Sequence, residues 1–93
     1  MLIEKTGQAG TVESSDVFIT VAPAKQGDGI AIELESPTMQ QYGHQIKAVI
    51  REALQRYQIT DAMVVVNDKG ALDCTIRARM NTAIERAMAV VRQ

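Results

Sequence analysis

Apolar and polar residues repeat with two different periods along this chain. Val17-Phe18-Ile19-Thr20-Val21-Ala22 is a β-branched, apolar run that stops at Pro23, which predicts a strand. Ile30, Ile32 and Leu34 alternate with Ala31, Glu33 and Glu35, and this period of two predicts a half-buried strand with its acids in water. Between them, Gln26-Gly27-Asp28-Gly29 is turn chemistry, with glycines for positive φ and Asp28 to bond its own backbone. Thr11-Val12-Glu13 reads as a further short strand that enters a turn at Ser14-Ser15-Asp16. Ala62 to Val66 is a third strong strand, stopped by Asn67-Asp68-Lys69-Gly70.

The other period is helical. Ser36 is placed to cap free amides and Pro37 to occupy the first helical position. Met39, Tyr42, Ile46, Val49, Ile50, Ala53, Leu54 and Tyr57 then form one apolar stripe, predicting a helix of about five turns. Gly43 lies on that stripe, where a close helix–sheet contact would explain it. Leu72, Ile76, Met80, Ala83, Ile84, Ala87, Met88 and Val91 repeat at the same spacing, with Asp73 near the start and Arg86 and Arg92 near the end. A hairpin at Asn67-Asp68 with Leu72–Ile76 as a strand competes there, and the long periodic run favours the helix. The order is β(β)βαβα. Two helices with one apolar stripe each predict an α+β two-layer domain, a small mixed or antiparallel sheet of three to four strands covered by the helices.

Length and charge narrow the picture. At 93 residues the chain is read as one domain, 1–93, with residues 1–8 expected to stay flexible until bound. No apolar run approaches the ~18–20 residues that cross a bilayer, so no membrane role is expected. Glu4 and Lys5 interrupt the stretch a signal peptide would need, so the chain reads as cytoplasmic. Cys74 is the single cysteine and can neither close an internal disulfide nor hold zinc alone. A net charge of −1 speaks against a nucleic-acid partner. That charge is unevenly shared: residues 1–46 set two lysines against six acids, and residues 47–93 set eight bases against five acids.

Catalytic constellations are hard to find. His44, the one histidine, shares a helix face with Lys47 and Arg51 and reads as a surface residue. Cys74 reads as a small buried hydrophobe, and Glu33 and Glu35 as a solvated face. Arg77 and Arg79 do not share a helix face. With Arg51 and Arg56 they are candidates for docking partners or phosphates. Glu13-Ser14-Ser15-Asp16 sets two hydroxyls between two acids, with no base to activate either. It is either a plain turn or an exposed serine on which another enzyme acts.

Two segments carry a resemblance. Ala9-Gly10-Thr11-Val12-Glu13-Ser14-Ser15-Asp16-Val17, followed by Ile19-Thr20-Val21-Ala22-Pro23, resembles the start of the citrate lyase acyl carrier (gamma subunit) family. Asp68-Lys69-Gly70-Ala71-Leu72-Asp73-Cys74, then Ile76-Arg77-Ala78-Arg79, resembles its second signature. The resemblance implies a non-catalytic carrier whose serine, matching Ser14, bears 2′-(5″-phosphoribosyl)-3′-dephospho-coenzyme A through a phosphodiester. It implies an arm thiol that holds acetyl and citryl thioesters while citrate is cleaved to acetate and oxaloacetate. The implied partners are an alpha (acyl transferase) subunit, a beta (citryl lyase) subunit and a prosthetic-group transferase, the holo-carrier synthase. Ser15 is the neighbouring candidate. Glu13 and Asp16 are expected to guide a basic pocket or a Mg²⁺ ion of the attaching enzyme. The malonate decarboxylase carrier is the related alternative, and a non-modified partner-binding module is the alternative from a different class.

Overall fold

A computed structural model describes residues 3–88. The elements follow in the order β1 (Gly7–Gly10), β2 (Val17–Pro23), β3 (Ile30–Glu35), α1 (Met39–Arg56), β4 (Ala62–Asp68) and α2 (Asp73–Ala87). The strands form one mixed sheet in the order β1-β2-β4-β3. β1 and β2 make an antiparallel hairpin, and β2 also runs antiparallel to β4. β3 and β4 are parallel, joined by α1 as the crossover that such a pair needs. Both helices cover one face, the expected two-layer α+β arrangement. Among the described residues no helix is long and apolar enough to cross a membrane.

The strand alternation decides what is buried. Val17, Ile19, Val21, Val64 and Val66 turn inward from β2 and β4. They meet Ile46, Ile50, Ala53 and Leu54 of α1 and Ile76, Met80, Ala83 and Ile84 of α2. Each large aliphatic side chain withdrawn from water here contributes ~1.5–3 kcal/mol before the entropy of ordering is set against it.

Several expectations need correction. The first strand is Gly7–Gly10, not Thr11–Glu13. Gly10 has φ +97°, and a Cβ there would sit 1.8 Å from the Val17 carbonyl oxygen, so the chain leaves the ladder at this residue. β1 is built of small residues because it lies directly on α2: a Cβ on Gly7 would lie 2.3 Å from the Ala83 oxygen. A close helix–sheet contact was the explanation offered for Gly43, which is buried, but a Cβ there would meet the flexible Met39 side chain of its own helix and no strand.

The helix α1 starts at Met39, and Ser36 is not its cap. Ser36 Oγ accepts from Thr38 N (3.1 Å) and donates to Asp68 Oδ2 (2.8 Å). The first turn of the stripe therefore stays in water, with Met39 and Tyr42 exposed, as is Leu72 just before α2. The Gln26–Gly29 turn is held not by Asp28 but by Asp61, whose Oδ1 accepts from the amides of Gly27 and Gly29. Leu72–Ile76 is no strand: Leu72 is the N-cap of α2, which takes in the residues from Asp73 onward. Val91 and Arg92 lie outside the described residues.

Candidate functional site

Ser14 sits in the turn that joins β1 to β2. Asp16 N donates to Glu13 O (3.1 Å), leaving Ser14 and Ser15 as the two central residues. Ser15 takes a left-handed φ of +66°, unusual for a residue with a side chain. The main chain is tied to the β4–α2 loop from both directions: Ser15 N donates to Lys69 O (2.8 Å) and Lys69 N to Asp16 O (2.9 Å). These two bonds extend the β2–β4 pairing past its last partners, Val17 and Asp68.

Asp16 locks the turn. Its Oδ2 accepts from Thr11 Oγ1 (2.6 Å) and Arg79 Nη2 (3.0 Å). Its Oδ1 accepts from Val17 N (2.7 Å) and Arg79 Nε (3.1 Å). The Arg79 fork above all, then Thr11 and the Val17 amide, hold this carboxyl well below the usual carboxylate range. Asp16 is thus fully engaged and is not a free acid beside the serines. Glu13, Ser14 and Ser15 are all exposed. No described side chain forms a hydrogen bond with the Ser14 hydroxyl, so no base is positioned to activate it.

The other candidates form no hydrogen bond or ion pair with this turn among the described residues. His44, Glu33 and Glu35 are exposed, as expected. Cys74 is exposed too, against the expectation of a buried thiol, because it lies in the first turn of α2, off the stripe. Arg77 approaches Glu52 at 3.5 Å, and so does Arg56 at 4.0 Å. Among the described residues no three His, Cys, Asp or Glu side chains are grouped to hold a metal.

Two site residues escape a linear reading. Arg79 lies 63 positions from Asp16, and only the packing of α2 on the β1–β2 hairpin brings them together. Asp68, taken for a turn residue, is the one buried charged side chain among the described residues. It accepts from Ser36 Oγ and from Ala71 N (2.9 Å), joining the entries of both helices beside the serine turn. Its place at the end of the alternating Ala62-Val64-Val66 face was the available signal.

Residues 4–87 match the family model described as "ACP: Malonate decarboxylase delta subunit (MdcD)". The citrate lyase acyl carrier protein of Oenococcus oeni is 51% identical over 88 residues, covering 95% of this chain and 89% of that one. The citrate lyase acyl carrier protein of Streptococcus mutans is 48% identical over 90 residues, covering 97% and 87%. In fold, the chain resembles a chain of a Pseudomonas malonate decarboxylase hetero-tetramer crystallised with malonate. The TM-score is 0.71 at 15% identity, over 95% of this chain and 93% of that one. With such identity over nearly its whole length, and with the two signature segments meeting at one turn, the chain belongs to the citrate lyase acyl carrier protein family.

Proposed function

We propose that this protein is the acyl carrier subunit of a cytoplasmic citrate lyase and that Ser14 is its point of covalent loading. The observation that carries the reading is the serine turn itself. An exposed hydroxyl stands on a backbone held by Arg79, Asp16, Thr11 and Lys69, with no base of its own. A residue that another enzyme must reach needs exposure and a fixed position, and activation comes from that enzyme. When attached through a phosphodiester, 2′-(5″-phosphoribosyl)-3′-dephospho-coenzyme A supplies a tethered thiol, which makes meetings with the alpha and beta subunits intramolecular.

This chain's residues have separate tasks in that scheme. The Arg79 fork keeps Asp16 from swinging toward Ser14, where a second anion would oppose a phosphate. Ser15, in the left-handed region, carries the chain through the turn and holds the backbone to Lys69. Glu13 is left as the acid that can guide a basic pocket or a Mg²⁺ ion of the holo-carrier synthase, since Asp16 is engaged.

Intact mass of the protein co-expressed with its attaching enzymes tests the reading. The added mass is expected in the wild type and in Ser15→Ala and absent in Ser14→Ala. Unmodified protein within an active lyase complex defeats it. The fold likeness to the Pseudomonas malonate decarboxylase chain favours a second reading, a malonate decarboxylase-type carrier. Near-50% identity to citrate lyase carriers weighs toward citrate. Activity of the loaded chain with citrate lyase subunits but not with malonate decarboxylase subunits separates the two.

A further inference from the structure

No described element of this chain covers the outer face of the sheet. The strand register arranges that face in three rows. Gly10, Phe18, Asn67 and Glu35 lie across the four strands in the first, and Gln8, Thr20, Val65 and Glu33 in the second. Ala22, Met63 and Ala31 form the third. A solvated antiparallel face is normally polar. Here the two central strands present Phe18, the chain's one phenylalanine, with Ala22, Met63 and Val65 beside Thr20 and Asn67, and Val65 is 40% exposed. Phe18, Thr20, Val65, Glu33 and Glu35 line a shallow hollow of about 380 Å³.

Charge at the register positions of this face has one sign, with Lys69 beyond the end of the first row, where it shares a hollow with Glu35 and Asn67. Glu33 and Glu35 stand on the edge strand β3, and none of its eleven register positions holds a lysine or arginine. A second copy of the chain is a poor occupant, because two such faces would bring four carboxylates together with no cation at any register position of either. A partner with basic side chains beside an apolar patch complements it in both respects. Resting on the reading of this chain as a carrier subunit, we propose that the outer sheet face is its permanent docking surface, seated on a partner subunit that presents lysines or arginines around apolar residues.

The placement suits a tethered carrier. Ser14 lies beyond the start of β2, and its turn is clamped from the helix layer by Arg79. Docking through the opposite layer leaves the serine at the rim of the contact rather than under it. Phe18 and Val65 are the anchors of such an interface, and Glu33 and Glu35 its steering charges.

The test is reassembly with citrate lyase alpha and beta subunits purified without their carrier. Val65→Asp is expected to weaken assembly at least tenfold at every salt concentration. The isosteric pair Glu33→Gln/Glu35→Gln is expected to weaken it several-fold at low salt and less at high salt. Both should be loaded at Ser14 as the wild type is, by intact mass, and both should keep its far-ultraviolet circular dichroism. Ser14→Ala should assemble normally. Wild-type assembly by both face variants overturns the proposal, as does equal weakening by the off-face pair Glu4→Gln/Asp28→Asn. Normal assembly dependent on this face, with Ser14 never loaded, would sink the Ser14 reading and leave the docking surface standing.

Discussion

Two turns of this protein are each closed by an aspartate, on opposite plans. In the Gln26–Gly29 turn, Gly27 and Gly29 have φ of +93° and +80°, and nothing crowds either of them. Its carboxylate is borrowed: Asp61, just before β4, takes both glycine amides on one oxygen. The Glu13–Asp16 turn has no glycine inside it. Its aspartate is its own, and four hydrogen bonds tie that aspartate to Thr11, Val17 and a helix from the far end of the chain. A turn that only reverses the chain needs backbone freedom and one acceptor. The serine turn is instead braced by side chains against another layer, as the loading proposed for Ser14 would require. Both carboxyls sit below their ordinary pKa, Asp16 chiefly through the Arg79 fork and Asp61 chiefly through the Gly29 amide.

The same substitution at Gly10, ahead of the serine turn, and at Gly27, inside the other turn, should break the comparison most sharply. Gly10→Ala places a Cβ against the Val17 carbonyl and is expected to lower the melting temperature by ~15 °C or more, as for a loss of ~3 kcal/mol. Gly27→Ala meets open space and bears only the left-handed backbone penalty of ~1–2 kcal/mol. Arg79→Ala comes next at the serine turn. Loading of Ser14 should slow by roughly tenfold to a hundredfold while circular dichroism is unchanged, and Arg79→Lys should recover only part, lacking the fork.

Titration sharpens the same point. Asp16 has a lowered folded-state pKa, so its contribution to stability is complete above the unfolded value of ~3.9 and fades as pH falls toward the folded value. The melting-temperature gap between wild type and Arg79→Ala should be constant from about pH 8 to 5 and narrow below about pH 4. Asp61→Ala should have a smaller effect, faster hydrogen exchange of the Gly27 and Gly29 amides with Ser14 loading unaffected. Smallest of all, Cys74→Ser should change neither stability nor loading, and the native thiol should react with a disulfide reagent without denaturant.

Local pattern carried the elements whose residues alternate strongly. Val17–Ala22, Ile30–Glu35 and Ala62–Val66 each announce which side chains face inward. The long stripes of α1 and α2 do the same. β1 was misplaced because its residues, Gly-Gln-Ala-Gly, have no strand propensity, and its position depends on how tightly α2 lies on it. The N-terminus of α1 differs from its expectation because the Ser36 hydroxyl bonds to Asp68, 32 residues away, and to the Thr38 amide, rather than to the free amides inside α1. At the site, the exposed Ser14 was legible from its neighbours in sequence. Arg79 was not, since a fork across 63 residues leaves no local mark.

Ile3 bridges Met88, and Ala87 O accepts from the amides of Glu4 and Lys5. Residues 3–5 and the end of α2 therefore meet at the foot of β1, while Ser14 sits past its head. A fluorophore attached beside Ile3 or Met88 would stand a strand's length from Ser14, and if Ser14 bears the arm proposed for it, a donor there with an acceptor on that arm would read its swing directly.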